Sequence, residues 1–191
     1  YLDSPMAIAA TEIYERFHHD FNRGHRRALG SGDAGDFHAF LPVLQYSQTP
    51  EDSMALNRVT SGAIIIAGSG MCTGGRIRHH LKHNLPRGNT DVIIVGFQAR
   101  GTPGRALVDG GRTFRIHGKE IRVKARIHTL GGFSAHAGQS QLLEWVQGFK
   151  NGDRRIFLVH GEDKAKVALQ AELIRKGHDA IIPRLGTTIE V

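Results

Sequence analysis

Two histidines stand in surroundings where an imidazole could do chemistry. His136 lies among small residues in GGFSAHAG, residues 131–138, and His160 follows an apolar run in LVHGE. Imidazole transfers protons near neutral pH and, when neutral, is a common metal ligand. His136 is therefore a candidate acid–base group and His160 a candidate metal ligand. A second interpretation stays open for both, since a single histidine at such a position is more often a structural or hydrogen-bonding residue.

A glycine-rich loop, GSGMCTGGR at residues 68–76, is the third candidate. Its glycines let the backbone approach a ligand, and it precedes a predicted helix whose first N–H groups can bind an anion. Ser69 and Thr73 add hydroxyls, and Arg76 adds a positive charge. The loop has neither the Gly-Lys-Ser/Thr of a Walker A motif nor the spacing of a dinucleotide fingerprint. The pattern predicts a phosphate cradle, with a tight strand-to-helix turn as the alternative.

No motif in the sequence completes a catalytic or metal site around these candidates. A metal site needs three or four ligands, and the chain contains no H-x-H, H-E-x-x-H or C-x-x-C. Ser134 and His136 are two residues apart, without a G-x-S-x-G turn or an identifiable orienting acid. That arrangement argues against a hydrolase dyad.

The elements that must position these residues alternate between amphipathic and apolar segments, which predicts an α/β fold. Ser4 and Pro5 are suited to cap and begin the first helix. Two apolar runs, AIIIAG and DVIIVGF, are expected to be buried parallel strands. Helices are predicted at residues 6–27, 51–57, 75–85, 139–149 and 163–177, a loop at 30–37, strands at 63–68, 91–97, 155–161, 179–186 and 187–191, and a hairpin within 112–130.

The helix after the glycine-rich loop combines an apolar stripe with many basic residues. Ile77, Leu81 and Leu85 recur at helical spacing and are expected to face the core. Most of the basic residues should then face outward: Arg76, Arg78, His79, His80, Lys82 and His83. They could follow a nucleic-acid backbone, although an ordinary solvated face has the same composition.

Composition narrows the class of protein. The 191 residues carry a formal net charge of +7, which favours a polyanionic partner, nucleic acid first, although a solvated basic surface is the alternative. The single cysteine, Cys72, excludes an internal disulfide framework and suits a reducing compartment. No run approaches the length of a membrane helix. We expect a cytoplasmic protein with no membrane association.

Five segments taken together resemble the β-CASP branch of the metallo-β-lactamase superfamily. They are YLDSPMAIAATEIYERF, IIIAGSGMCTGGRIRHHLKHNL, VGFQARGTPGRALVDG, GGFSAHAGQSQLLEWV and FLVHGE. The resemblance covers Tyr1 to Val191. It implies a Rossmann-like β-CASP domain over residues 1–125, followed over residues 126–191 by the C-terminal strands and helices of a metallo-β-lactamase αββα fold.

The resemblance also implies roles for the candidate residues. His136 matches the motif B histidine, a general acid for the leaving oxygen, and His160 matches motif C, a zinc ligand. Histidine rather than valine at motif C favours RNA over DNA as the substrate. The residues expected to bind substrate or phosphate are Ser69, Thr73, Gly74, Gly75, Arg76 and Ser134.

The other zinc motifs of that branch, beginning with H-x-H-x-D-H, do not occur in the sequence. The chain thus resembles the C-terminal portion of a zinc-dependent ribonuclease that holds two zinc ions, and by itself it is expected to be inactive. A non-catalytic RNA-binding scaffold of the same branch is the alternative, and a small-molecule hydrolase is the third hypothesis. RNA is the expected partner, and a homodimer is left open.

Overall fold

The structure, a computed structural model, describes residues 1–21, 41–116, 118–149 and 155–189. Both helices and strands form along these residues, so the α/β prediction is confirmed. The helices are Pro5–Arg16 (α1), Pro50–Ala55 (α2), Ile77–Asn84 (α3), Pro103–Val108 (α4), Gln139–Gln147 (α5) and Asp163–Arg175 (α6). The strands are Asp91–Ile94 (β1), Thr113–Ile116 (β2), Lys119–Arg122 (β3), Arg126–Thr129 (β4), Arg155–Phe157 (β5) and Asp179–Ile181 (β6).

The chain divides into two compact units, Tyr1–Ser134 and Ala135–Val191. Strand β4 belongs to the first unit because it pairs in parallel with β1, from Asp91 opposite Arg126 to Ile94 opposite Thr129. The boundary between residues 125 and 126 remains a prediction. Within the described residues, no helix is long and apolar enough to cross a membrane.

Helix α1 begins as the sequence predicts. The Ser4 side chain accepts a hydrogen bond from the Ala7 N–H, and Pro5 is the first helical residue. This cap satisfies one of the N–H groups that a helix start leaves unpaired. The helix ends at Arg16, earlier than predicted, and a short 3₁₀ turn, His18–Asp20, follows. Residues 22–27 of the predicted helix and the predicted loop at 30–37 lie outside the described residues.

The two predicted buried strands of the first unit are only partly formed. Residues 63–68 form no regular strand, and the segment makes one parallel bridge, between Leu2 and Ile66. The side chains of Ile64 and Ile66 are 75% and 56% exposed, so the prediction that they are buried is wrong. Strand β1 is also shorter than predicted, and Ile94 is its buried residue. An apolar run in the sequence indicates a strand, but it does not show which other segments pack against that strand.

The predicted hairpin is confirmed. Strands β2 and β3 pair antiparallel, with Phe114 opposite Ile121 and Ile116 opposite Lys119. Phe114 and Ile116 face the main core of the first unit. That core joins the hairpin to the helix after the glycine-rich loop, and its buried members are Cys72, Leu81, Leu85, Leu107, Phe114, Ile116 and Ala125.

The second unit pairs β5 with β6 in parallel, with Arg155 opposite Asp179. Helix α6 connects them, and the turn after it uses Gly177 at φ +86°, a conformation that glycine adopts readily. Val146 of α5, Leu173 of α6 and Ala180 of β6 form the buried core. Residues 187–189 form no strand, and the end of the predicted last strand lies outside the described residues.

Candidate functional site

The glycine-rich loop folds around the side chain of Ser69. Ser69 Oγ accepts hydrogen bonds from the N–H groups of Thr73, at 3.2 Å, and Gly74, at 3.3 Å. It also lies 3.2 Å from Thr73 Oγ1. The N–H groups of Thr73 and Gly74, two residues of the predicted phosphate cradle, are therefore directed at a serine oxygen. The Thr73 side chain is exposed, so the loop presents a pair of coupled hydroxyls.

Arg76 turns away from this hydroxyl pair. Its Nη1 donates to Asp3 Oδ1 and to the Ser47 carbonyl, both at 2.7 Å, and its Nη2 donates to the Gln48 carbonyl at 2.9 Å. A guanidinium with these partners holds the C-terminal end of the loop against the residues around Leu2 and Ser47. The geometry assigns Arg76 a positioning role.

Asp3 is the centre of a buried polar network. Its side chain is 0% exposed, and its Oδ2 accepts hydrogen bonds from Ser53 Oγ, at 2.6 Å, and from His80 Nε2. Burial on its own raises the pKa of Asp3, but hydrogen bonds from Ser53, His80 and Arg76 outweigh it and leave that pKa below its usual value. The carboxylate is therefore ionised at neutral pH and pairs with Arg76 inside the unit.

His80 is part of this network, not of the outer face of α3. The sequence grouped it with the outward basic residues, yet its side chain is 4% exposed, whereas Lys82 and His83 are exposed. The predicted apolar stripe is otherwise confirmed, since Leu81 and Leu85 are buried in the core. His80 and Asn84 recur at the same helical spacing as Leu81 and Leu85. The basic character of His80 therefore gave no sign that its side chain is buried.

A second set of contacts holds the middle of the loop. Gln98 is buried, and its Nε2 donates to the Gly70 carbonyl at 2.9 Å. The N–H of Gly104, in the first turn of α4, donates to the Met71 carbonyl at 3.0 Å. A side chain at Gly104 would meet Gln98, since a Cβ there would lie 1.8 Å from Gln98 Oε1. The middle of the loop is thus held by Gln98 and Gly104, two residues that were not candidates from the sequence.

The two candidate histidines lie in exposed, irregular segments of the second unit. His136 stands between the 3₁₀ turn Gly131–Phe133 and the start of α5, and its side chain is exposed. His160 follows β5 at φ +66°, with Gly161 next at φ +112°. This left-handed turn lies three residues after the end of the strand and presents an exposed imidazole. Ser134, two residues before His136, is the last residue of the first unit.

The candidate residues fall into groups without forming a metal centre. Ser69, Thr73 and Arg76 share one loop, while His136 and His160 share the second unit. Among the described residues, no group of three or more histidine, cysteine, aspartate or glutamate side chains could hold a metal ion. Since zinc takes three or four protein ligands, these residues do not fit a zinc site by themselves.

Two family models match the chain. The Beta-Casp domain matches residues 1–107, and the Zn-dependent metallo-hydrolase RNA specificity domain matches residues 120–183. The chain is similar over its whole length to a ribonuclease of Thermus thermophilus, at 39% identity, and to a probable RNase of Methanocaldococcus jannaschii, at 27%. It spans 43% and 42% of those two proteins.

A third relative is the transcription termination factor FttA of Pyrococcus horikoshii, with 33% identity over 92% of the chain and 27% of that protein. The chain therefore spans less than half the length of each of these curated relatives. The second matched model starts within β3, where the hairpin continues toward β4.

Proposed function

Because this chain belongs to the β-CASP family, as the match over residues 1–107 shows, we propose that it is a portion of a zinc-dependent ribonuclease that hydrolyses RNA phosphodiester bonds. The printed names of its ribonuclease relatives and of the second matched model support this proposal. The structural observation that carries it is the exposed Ser69–Thr73 hydroxyl pair on a loop anchored from within by Arg76 and Asp3.

Ser69 and Thr73 are proposed to bind the RNA backbone. A hydroxyl can donate to a phosphate oxygen, and most protein–nucleic acid hydrogen bonds go to phosphate and sugar without reading sequence. When a phosphate replaces the Ser69 oxygen as acceptor, the N–H groups of Thr73 and Gly74 become additional donors. The anchored backbone keeps these donors in place, which lowers the entropy lost on binding.

The two histidines are proposed to have separate roles. His136, exposed beside small residues, donates a proton to the leaving oxygen of the cleaved phosphodiester. His160, whose imidazole is presented by the turn after β5, is one ligand of the zinc ions, and the other ligands are not among the described residues. The same proposal includes two zinc ions. It also includes Ser134 as a further contact with the substrate. The chain alone is not proposed to catalyse any step of RNA hydrolysis.

Replacing Thr73 by valine is expected to weaken binding of single-stranded RNA by roughly 10- to 150-fold, because a hydrogen bond to a charged phosphate contributes roughly 1.5–3 kcal/mol. Fluorescence anisotropy on the natural protein that carries this chain measures the dissociation constant. Thr60→Val, the same chemical change at another exposed threonine, is the control and should leave affinity unchanged. Equal affinities for Thr73→Val and Thr60→Val would remove the loop from the RNA-binding surface.

A non-catalytic RNA-binding scaffold is the second candidate function. A scaffold would bind RNA through the same glycine-rich loop and basic charge as the ribonuclease, but His136 would transfer no proton in it. Binding and cleavage of RNA by the same natural protein distinguish the two functions. A scaffold binds RNA with the same salt dependence as the ribonuclease and leaves the RNA intact.

A further inference from the structure

A regular alternation of exposure runs from the hairpin into β4. Inward-facing apolar residues and outward-facing basic residues follow each other without interruption. The inward set, buried or half-buried, is Ile121, Val123, Ala125 and Ile127. The outward set, all exposed, is Arg122, Lys124, Arg126 and His128. Residues 123–125 form no strand, and the N–H groups of Lys124 and Ala125 both donate to the Leu85 carbonyl, so the chain bends between β3 and β4 and the exposed basic residues follow one another through this bend.

The outward face of the hairpin carries another basic residue besides Arg122. Thr113 lies opposite Arg122 and Arg115 lies opposite Glu120, while the next pairs along carry the core residues Phe114 and Ile116. Arg115 is therefore outward and exposed, like Arg122. Glu120 is the acidic residue that faces it on the neighbouring strand.

The charges of these exposed basic residues are unequally neutralised. Arg126 donates to both carboxylate oxygens of Asp91, at 2.7 and 2.6 Å, and His128 Nε2 lies 2.7 Å from the same carboxylate. Within the described ranges, by contrast, no ion pair involves Arg115, Arg122 or Lys124. We call these three residues the basic ridge.

The ridge adjoins the basic end of α3. The Leu85 carbonyl, directly after α3, accepts hydrogen bonds from the N–H groups of Lys124, at 2.7 Å, and Ala125, at 3.0 Å. Near that junction, partial burial and then the positive charges of Lys82 and Arg87 lower the pKa of His83. Basic side chains therefore stand on both sides of this backbone junction, Lys124 on one side and Lys82 and His83 on the other.

We propose that the basic ridge binds the phosphate backbone of RNA as a second contact, separate from the hydroxyl pair of the loop. Exposed cations with no ion-pair partner among the described residues attract a polyanion, because each phosphate contact releases counterions. The ridge is also rigid, because Phe114 and Ile116 anchor its other face in the core. A rigid face loses little conformational entropy when it binds. The inference rests on the proposed function, since it takes RNA as the ligand.

The test compares two double variants of the natural protein that remove the same charge. Arg122→Gln with Lys124→Gln removes two ridge charges, and Lys164→Gln with Lys176→Gln removes two exposed charges from α6 and its end. Binding of single-stranded RNA is measured over a range of salt concentrations. Each lost phosphate contact makes the negative slope of log affinity against log salt shallower by about 0.7. The slope of the ridge variant should therefore be shallower by about 1.4, and this variant should bind RNA roughly tenfold more weakly at low salt.

The control variant should keep the wild-type slope. Unfolding curves of both variants should match wild type, since all four side chains are exposed. Equal slopes for the two variants, with wild-type RNA binding intact, would overturn the ridge as a contact and leave the proposed function standing. RNA binding that does not depend on salt in the wild-type protein would instead contradict the proposed function itself.

Discussion

Replacing Asp3 by alanine is expected to lower the free energy of unfolding of the first unit by about 3–5 kcal/mol, because breaking a buried ion pair leaves its partners unsatisfied. Arg76 and His80 would both lose the carboxylate that satisfies them. Ser53→Ala, which removes one hydrogen bond of the same network, should cost about 1 kcal/mol. Hydrogen exchange of the α3 amides at increasing urea concentrations measures the change locally.

Asp179→Ala is the matched control for that experiment. Asp179 is an exposed aspartate of the second unit, so its removal should change stability by less than about 0.5 kcal/mol. If Asp3→Ala unfolds no more easily than Asp179→Ala, the carboxylate does not hold Arg76 and the loop is positioned by other contacts. The Asp3 variant should also bind RNA more weakly, since its loop is released.

The network also gives the stability of the first unit a defined pH dependence. Hydrogen bonds from Ser53, His80 and Arg76 outweigh burial and keep the pKa of Asp3 below its usual value in the folded state. The stabilisation is therefore complete above the pKa of the unfolded chain, near 3.8, and is lost as the pH falls through the lower folded pKa. Asp3→Asn should reduce the loss of stability on acidification.

Replacing His136 by alanine is expected to slow RNA cleavage by the natural protein by roughly 10²–10⁴-fold, the contribution typical of a general acid. RNA affinity and zinc content should stay at wild-type values, because the proposal gives His136 neither role. Single-turnover cleavage measures the rate. An activated phosphodiester with a nitrophenolate leaving group needs no protonation, so its hydrolysis should be far less affected by the same variant.

His178→Ala is the matched control for His136→Ala, because it removes an imidazole from the same unit at a position with no proposed role. It should cleave RNA at the wild-type rate. A His136→Ala variant that slows both substrates equally would exclude proton donation to the leaving group. A variant that loses zinc would exclude the separation of roles between His136 and His160.

Residue spacing in the sequence predicted the parts of the fold that depend on residues close together along the chain. The cap of α1 by Ser4, the core stripe Leu81–Leu85 and the β2–β3 hairpin each follow from spacings of a few residues. The burial of residues 63–68 could not be predicted in the same way, because Ile64 and Ile66 are exposed in spite of their apolar neighbours. Burial depends on which segments pack on a strand, and that is a long-range property.

The polar network shows the same limit at the candidate site. Asp3 is 73 residues from Arg76 and 77 residues from His80 in the sequence, and no local motif connects them. His80 stands in a basic run, RHHLKH, whose composition indicates a solvated face. The sequence therefore identified the glycine-rich loop but assigned the charge of Arg76 to a ligand, while the structure pairs it with Asp3.

We propose that this chain supplies RNA-binding and proton-donating residues to a zinc-dependent ribonuclease. The most direct measurement is cleavage of single-stranded RNA by the natural protein before chelation, after chelation and after zinc is restored, with His160→Ala in parallel. We expect cleavage that chelation abolishes and zinc restores, and a reduced zinc content in His160→Ala. RNA that is bound with the same salt dependence but stays intact in the presence of zinc would contradict the claim.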